Sequence, residues 1–328
     1  MRLTFFTVIA ALMLIANQAH AGIVTFGSGA NSFNMEFVTI GDAGNAADTT
    51  GSPNPAGAVS YEYQMGKYEV SEAMIDAYNA EFGTANSLVI TKDTRGADKP
   101  ATSVSWNEAA RFVNWLNTSQ GFQAAYKFTT GGVNDNIALW SSAEAWQLGG
   151  ENLYRHKDAH YWLPSMDEWY KAAYYDPVND VYYDYPTGSN TAPTAVASGT
   201  TAGTAVFNQT FAQGPADITQ AGGLTPFGIM GLGGNVFEWE ETSVDLNNST
   251  GSSNRGVRGG HWYNNSIDLS SSNRLDWVNP ASKIHYALGF RVASLSSSAA
   301  VPEPCSLAII GSFGLMSLAY RRRRQSPR

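Results

Sequence analysis

Between Pro226 and Val292 the chain repeats one local device three times, setting glycines directly against aromatic residues beside a charged or amide side chain. The blocks are Gly233-Gly234-Asn235-Val236-Phe237-Glu238-Trp239, Arg258-Gly259-Gly260-His261-Trp262 and Leu288-Gly289-Phe290-Arg291-Val292. Glycine opens backbone conformations closed to other residues, and large rings fill the space around such turns. The device constrains the fold before it says anything about an active site.

The remaining composition agrees with a turn-rich globular domain. Aromatic residues make up 12% of 328 residues, with 32 glycines and only 15% charged residues. That is too apolar for a disordered chain and long enough for one large core. The single cysteine, Cys305, lies near the C-terminus, so no disulfide and no thiol is expected in the globular part. Net charge is −8; with Arg2, Glu303 and the five arginines after Tyr320 set aside, residues 22–300 carry −13. Such a surface disfavours nucleic acid and anionic membranes and suits an environment rich in cations.

Both ends look like addresses. Arg2, an apolar run over residues 3–16 and Ala19-His20-Ala21 read as a signal peptide, residues 1–21, cut after Ala21. At the other end, Pro302-Glu303-Pro304 precedes a mostly apolar run over residues 307–320 and then four arginines. Fourteen residues of helix span about 21 Å, short of a hydrocarbon core of about 30 Å, so this is a marginal membrane helix held by its arginines.

In between, residues 22–34 read as a lead-in, residues 35–40 as a first strand and residues 61–70 as a second. Ser71 caps a short helix. Ser105 and Glu108 form a capping box ahead of Ala109, Phe112, Val113 and Leu116, and Ser165 with Glu168 repeats the device ahead of Trp169. Residues 176–225 have no sustained period and read as long loops with a short strand near Ala205 to Phe207. Residues 294–300 read as a Ser/Ala linker.

Few residues offer chemistry. His156 and His160 stand at i and i+4, a zinc-like spacing if the segment is helical, with a solvated polar segment as the alternative. His261 either lines a groove with Trp262 and Asn264 or is simply packed. No Gly-x-Ser-x-Gly elbow positions a serine nucleophile. Arg258 and Arg291 suit bidentate locking of loops.

The tail, residues 301–328, resembles the PEP-CTERM sorting signal of bacterial exported proteins. That likeness implies an exosortase-type sorting peptidase acting near Pro302, Glu303 and Pro304, transient anchoring in the inner membrane through residues 307–320, and a cell-surface or extracellular destination. The globular part, residues 35–293, resembles the sulfatase-modifying-factor family, whose founding members are formylglycine-generating enzymes. The match is carried in order by Gly66-Lys67-Tyr68-Glu69-Val70-Ser71, Val104-Ser105-Trp106-Asn107-Glu108-Ala109, Tyr161-Trp162-Leu163-Pro164-Ser165-Met166-Asp167-Glu168-Trp169, Gly234-Asn235-Val236-Phe237-Glu238-Trp239, and Arg258-Gly259-Gly260 with Gly289-Phe290-Arg291-Val292. It implies a single irregular α+β domain related to C-type lectins, with short strands, a few short helices and long loops.

What the resemblance implies for chemistry is divided. The family's oxidases hold copper with two cysteines, whose positions here are Asn264 and Leu269. Neither supplies a thiolate, so no copper and no formylglycine synthesis are expected. Family sulfoxide synthases share an iron site with an added helical domain, which this chain lacks. Structural calcium is implied at the carbonyls of Gly234 and Val236 with the carboxylate of Glu238, and at a second site through Asn208 and Gln209. One family asparagine ligand falls at Gly231, and the open alternative is that Glu238 bonds its own loop without metal. The expectation is therefore an exported module that binds a glycan or matrix polymer, the runner-up being an enzyme of divergent chemistry built on His261.

Overall fold

The computed structural model describes residues 22–283 and 286–296. Ala21, His285, Pro302, Glu303, Pro304 and the run 307–320 lie outside the described residues. In chain order the framing strands are β1 (Gly22–Phe26), β2 (Phe33–Ile40), β3 (Tyr63–Gly66), β4 (Tyr161–Trp162), β5 (Phe237–Ser243), β6 (Arg255–Arg258), β7 (Leu275–Val278), β8 (Leu288–Gly289) and β9 (Ala293–Leu295). The helices are α1 (Glu72–Tyr78), α2 (Trp106–Ser119) and α3 (Met166–Tyr174).

Two sheets carry the domain. One has the order β1-β2-β3-β9-β4 with every neighbour antiparallel. The other has the order β7-β6-β5-β8, antiparallel except for the parallel pair β5 and β8. Short helices and long connections complete an irregular α+β domain, as the sequence leads one to expect.

Two boundaries move. Residues 22–34 are no lead-in, because β1 pairs with β2 from Gly22 opposite Phe37 to Phe26 opposite Phe33. Phe26 anchors that hairpin: it is fully buried, with Phe33 at 5.8 Å and Tyr161 at 5.2 Å. The linker likewise starts later than residue 294, since β9 fills the slot between β3 and β4.

Helix starts follow the sequence closely. The Ser71 hydroxyl accepts the Met74 amide at the head of α1. In α2 the Glu108 amide donates to Ser105 Oγ at 3.1 Å while the Ser105 amide donates to Glu108 Oε2 at 2.9 Å. In α3 the corresponding bonds are 3.2 Å and 2.6 Å. Each box satisfies two amides that a helix end otherwise leaves unpaired. Behind the caps, Ala109, Phe112, Val113 and Leu116 are fully buried, and Phe290 of the third glycine-aromatic block meets Phe112 edge-on at 5.7 Å.

The zinc-like histidine spacing is overturned by the backbone. His156 closes the strand Asn152–His156 and His160 immediately precedes β4, so no helix puts the two on one face. Their rings pack separately, His156 on Trp140 at 4.5 Å and His160 on Phe122 at 4.3 Å. In both, burial lowers the proton affinity of the imidazole. The loop reading of residues 176–225 holds, relieved by Thr194–Ala195 pairing in parallel with Thr204–Ala205.

Candidate functional site

The second glycine-aromatic block and the run on β5 meet around a set of buried charges. Glu238, Glu240 and Glu241 are all fully buried on β5, and each carboxylate is met by arginine. Arg291 grips Glu238 with Nε to Oε2 at 2.6 Å and Nη2 to Oε1 at 2.5 Å. Arg258 Nε and Arg274 Nε donate to the two oxygens of Glu240 at 2.7 Å and 2.8 Å. Arg155 donates to Glu241 at 2.6 Å and 3.0 Å and also clamps Glu168 of α3 at 3.0 Å and 3.1 Å. Buried carboxylates are tolerated only when so compensated. Arg258 and Arg291 thus act as expected: Arg258 also reaches the carbonyl of Asn273, and Arg291 those of Gly66 and Met230.

This pairing bears on calcium. Glu238 already accepts three bonds, two from Arg291 and one from Trp169 Nε1 at 2.7 Å. Its charge is balanced by Arg291, leaving a single free lone pair on Oε1 to offer a hard cation beside the carbonyls of Gly234 and Val236. Gly231, where the resemblance places an asparagine, is itself filled: a Cβ there would lie 2.5 Å from Oε1 of Glu69. Asn208 and Gln209 stand elsewhere, their amides donating to the carbonyls of Asn264 and Trp262 at 2.8 Å each. The second expected pair is therefore stitched to the loop that follows Gly260.

Glu69 was not foreseen as part of this cluster. It is 1% exposed, accepts the Asn235 amide at 2.9 Å on Oε1, and its Oε2 has no hydrogen-bond partner. Burial, opposed by Arg291 and reinforced by the charge of Glu238, raises its pKa from 4.5 to about 7. The folded state then holds a proton that the unfolded chain has released, so stability falls as pH rises from about 4.5 to about 7. Glu69→Gln is expected to flatten that part of the profile, read from urea midpoints at pH 5 and pH 8. An unchanged slope would show that Glu69 is ionised throughout.

The residues at the family's cysteine positions lie in the segment beyond Gly260. The His261 amide donates to Asn264 Oδ1 at 2.9 Å, and His261 Nδ1 accepts the Tyr263 amide at 3.1 Å. The ring is 3% exposed, with Phe237 at 5.1 Å, so His261 is a packed histidine that shapes a turn. Asn264 spends its oxygen on that turn, and Leu269 is fully buried with its carbonyl accepting Tyr174 Oη at 3.2 Å. Neither presents a soft donor. Above them Trp262 is fully buried, with the Arg95 guanidinium 4.9 Å from its ring, while Phe211 and Tyr263 remain 49% and 54% exposed. Phe211 touches Tyr286 at 4.8 Å and Tyr263 at 6.3 Å, forming a partly exposed aromatic shelf. Among the described residues no group of three or more His, Cys, Asp or Glu side chains is placed to hold a metal ion.

Sheets of this order with long loops define a domain of the formylglycine-generating-enzyme and C-type-lectin-like kind. Residues 23–295 match the model of the sulfatase-modifying factor enzyme 1-like domain, and the chain belongs to that family. Its fold is similar to that of Treponema denticola variable protein 1, with a TM-score of 0.55 at 19% identity over 84% of this chain and 99% of that one. It is also similar to CarF, with a TM-score of 0.54 at 18% identity over 80% of this chain and 99% of that one. At such identities the likeness is one of fold. No curated protein sequence matches the chain.

Proposed function

We propose that this is an exported cell-surface module of the sulfatase-modifying-factor fold that binds a glycan or matrix polymer and performs no oxidase chemistry. The observation that carries the reading is the pair Asn264 and Leu269: one is spent on a turn and the other is sealed in the core. The shelf of Phe211, Tyr263 and Tyr286 supports a binding role, since exposed rings on a rigid base recur at recognition surfaces. Export follows from the signal peptide at residues 1–21. Sorting follows from an exosortase-type peptidase acting near Pro302–Pro304, with transient membrane anchoring through residues 307–320.

Two measurements test it. The purified chain is expected to contain no stoichiometric copper and to be retained on polysaccharide from its own matrix, with Phe211→Ala plus Tyr263→Ala lowering retention by about tenfold or more. One copper per chain, or retention unchanged in the double variant, overturns the reading. Mass spectrometry of protein recovered from cells should find Gly22 at the N-terminus and the residues after Pro304 removed. Within the same reading calcium at Gly234, Val236 and Glu238, or at Asn208 and Gln209, is auxiliary, because Arg291 already supplies the charge that Glu238 needs. Saturating calcium is expected to raise the melting temperature by less than about 2 °C. A rise of about 10 °C would show a cation to be integral to the fold.

A further inference from the structure

A second concavity lies away from the aromatic shelf. Ile23 and Asn34 to Glu36 of the β1–β2 hairpin, Gly66, Tyr68 and Glu69 after β3, Met74 of α1, and Ile218 with Thr219 enclose a cleft of about 240 Å³. Most of its wall is apolar, contributed by Ile23, Met35, Met74 and Ile218. Glu69 breaks that pattern. Its carboxylate is 1% exposed, and Oε2 has no hydrogen-bond partner. Arg291, whose charge acts on Glu69, donates instead to Glu238 and to the carbonyls of Gly66 and Met230. Asn235 reaches only Oε1. The other acid of the cleft, Glu36, is already bound to Lys67 at 2.9 Å.

An acceptor buried without a partner is costly, and more so when charged, so one on the wall of a cleft is a place for a donor that arrives from outside. We propose that the cleft binds an organic ammonium ligand, a primary amine on a short apolar body, with its charged head on Glu69 Oε2 and its chain along Met35, Met74 and Ile218. A bare divalent cation fits less well, since it requires six or more oxygen ligands and these walls are largely carbon. Above about pH 7, where Glu69 is ionised, a neutral alcohol would bond the carboxylate but leave its charge uncompensated. Tyr68 favours the same class: its ring already lies under the Lys67 ammonium, 5.4 Å from Nζ. The net charge of −13 over residues 22–300 attracts cations to the whole surface.

The test titrates the purified full-length chain at pH 8, where Glu69 is ionised, with n-butylammonium and, separately, with n-butanol and calcium chloride, following heat or the tyrosine and tryptophan fluorescence. Saturable binding of one butylammonium per chain, at least about tenfold tighter than butanol, is expected. Glu69→Gln should abolish that preference. Thr219→Arg, at an exposed rim position, should weaken binding of the amine by about tenfold without lowering the melting temperature. Equal binding of amine and alcohol, retention of the preference in Glu69→Gln, or tight binding of calcium that excludes the amine would each overturn the proposal. None of these outcomes depends on the aromatic shelf, so matrix retention and amine binding fail or succeed separately.

Discussion

Methionine in place of Arg155 should destabilise the domain by about 3–5 kcal/mol, lowering its melting temperature by about 10 °C. Arg155 is 1% exposed and is the guanidinium shared by Glu168 and Glu241, which are themselves fully buried. Its guanidinium lies over the rings of Trp146 and Trp162, 4.9 Å and 4.3 Å from their centroids. Methionine fills much of the same volume, so the loss reports the two abandoned carboxylates rather than a cavity. Tyr61, Tyr126, Asn152 and Trp162 still donate to these acids, but neutral donors cannot cancel two charges. Adding Glu241→Gln to Arg155→Met should restore part of the loss, because one buried charge disappears. Calorimetry on the single and double variants decides the matter: a loss below about 1 kcal/mol, or no recovery in the double, would show that the cluster does not hold the domain together.

Alanine at Gly234 should be nearly as damaging for a purely geometric reason. Gly234 has φ of +83°, and a Cβ there would lie 2.3 Å from the carbonyl oxygen of Val206 and 2.9 Å from its carbon. That oxygen accepts the amide of Asn235 at 2.8 Å, so the backbone cannot step aside without breaking the contact between the two loops. Gly121, after α2, has nearly the same φ of +80° but open space around it. Gly121→Ala should therefore cost about 1 kcal/mol, and Gly234→Ala about 4 kcal/mol. Urea unfolding of both variants separates strain from clash, and equal losses would show that only the dihedral matters.

What the sequence revealed depends on whether a signal was local. Ser105 with Glu108 and Ser165 with Glu168 announce two helices because a capping box is satisfied within four residues. The glycine-aromatic blocks likewise give the family, since each is a contiguous run that can be read on its own, although their amides bond across to one another and to Val206. The strand β1 escaped because only Phe26 of its residues is buried, so alternation over Gly22–Phe26 leaves little trace. Glu238-Trp239-Glu240-Glu241 reads as a polar edge, and nothing within the run says that it is buried. Its partners Arg155, Arg258, Arg274 and Arg291 lie up to 86 residues away, and only folding brings them to one strand. Asn264 and Leu269 were legible as missing thiolates, but the use made of Asn264 in the His261 turn was not. Glu69 sits in a plain block of the family pattern, and its lone oxygen is a property of the packing.

The place of β9 has a mechanical meaning. The chain leaves the first sheet from an interior strand, bonded to β3 through Ala293, Ser294 and Leu295 and to β4 through Ala293 and Ser294. A tension applied beyond Leu295 has to break both ladders together before the domain yields. An edge strand would peel away one bond at a time. Among the strands of that sheet, β9 is well suited to be the one that bears the load.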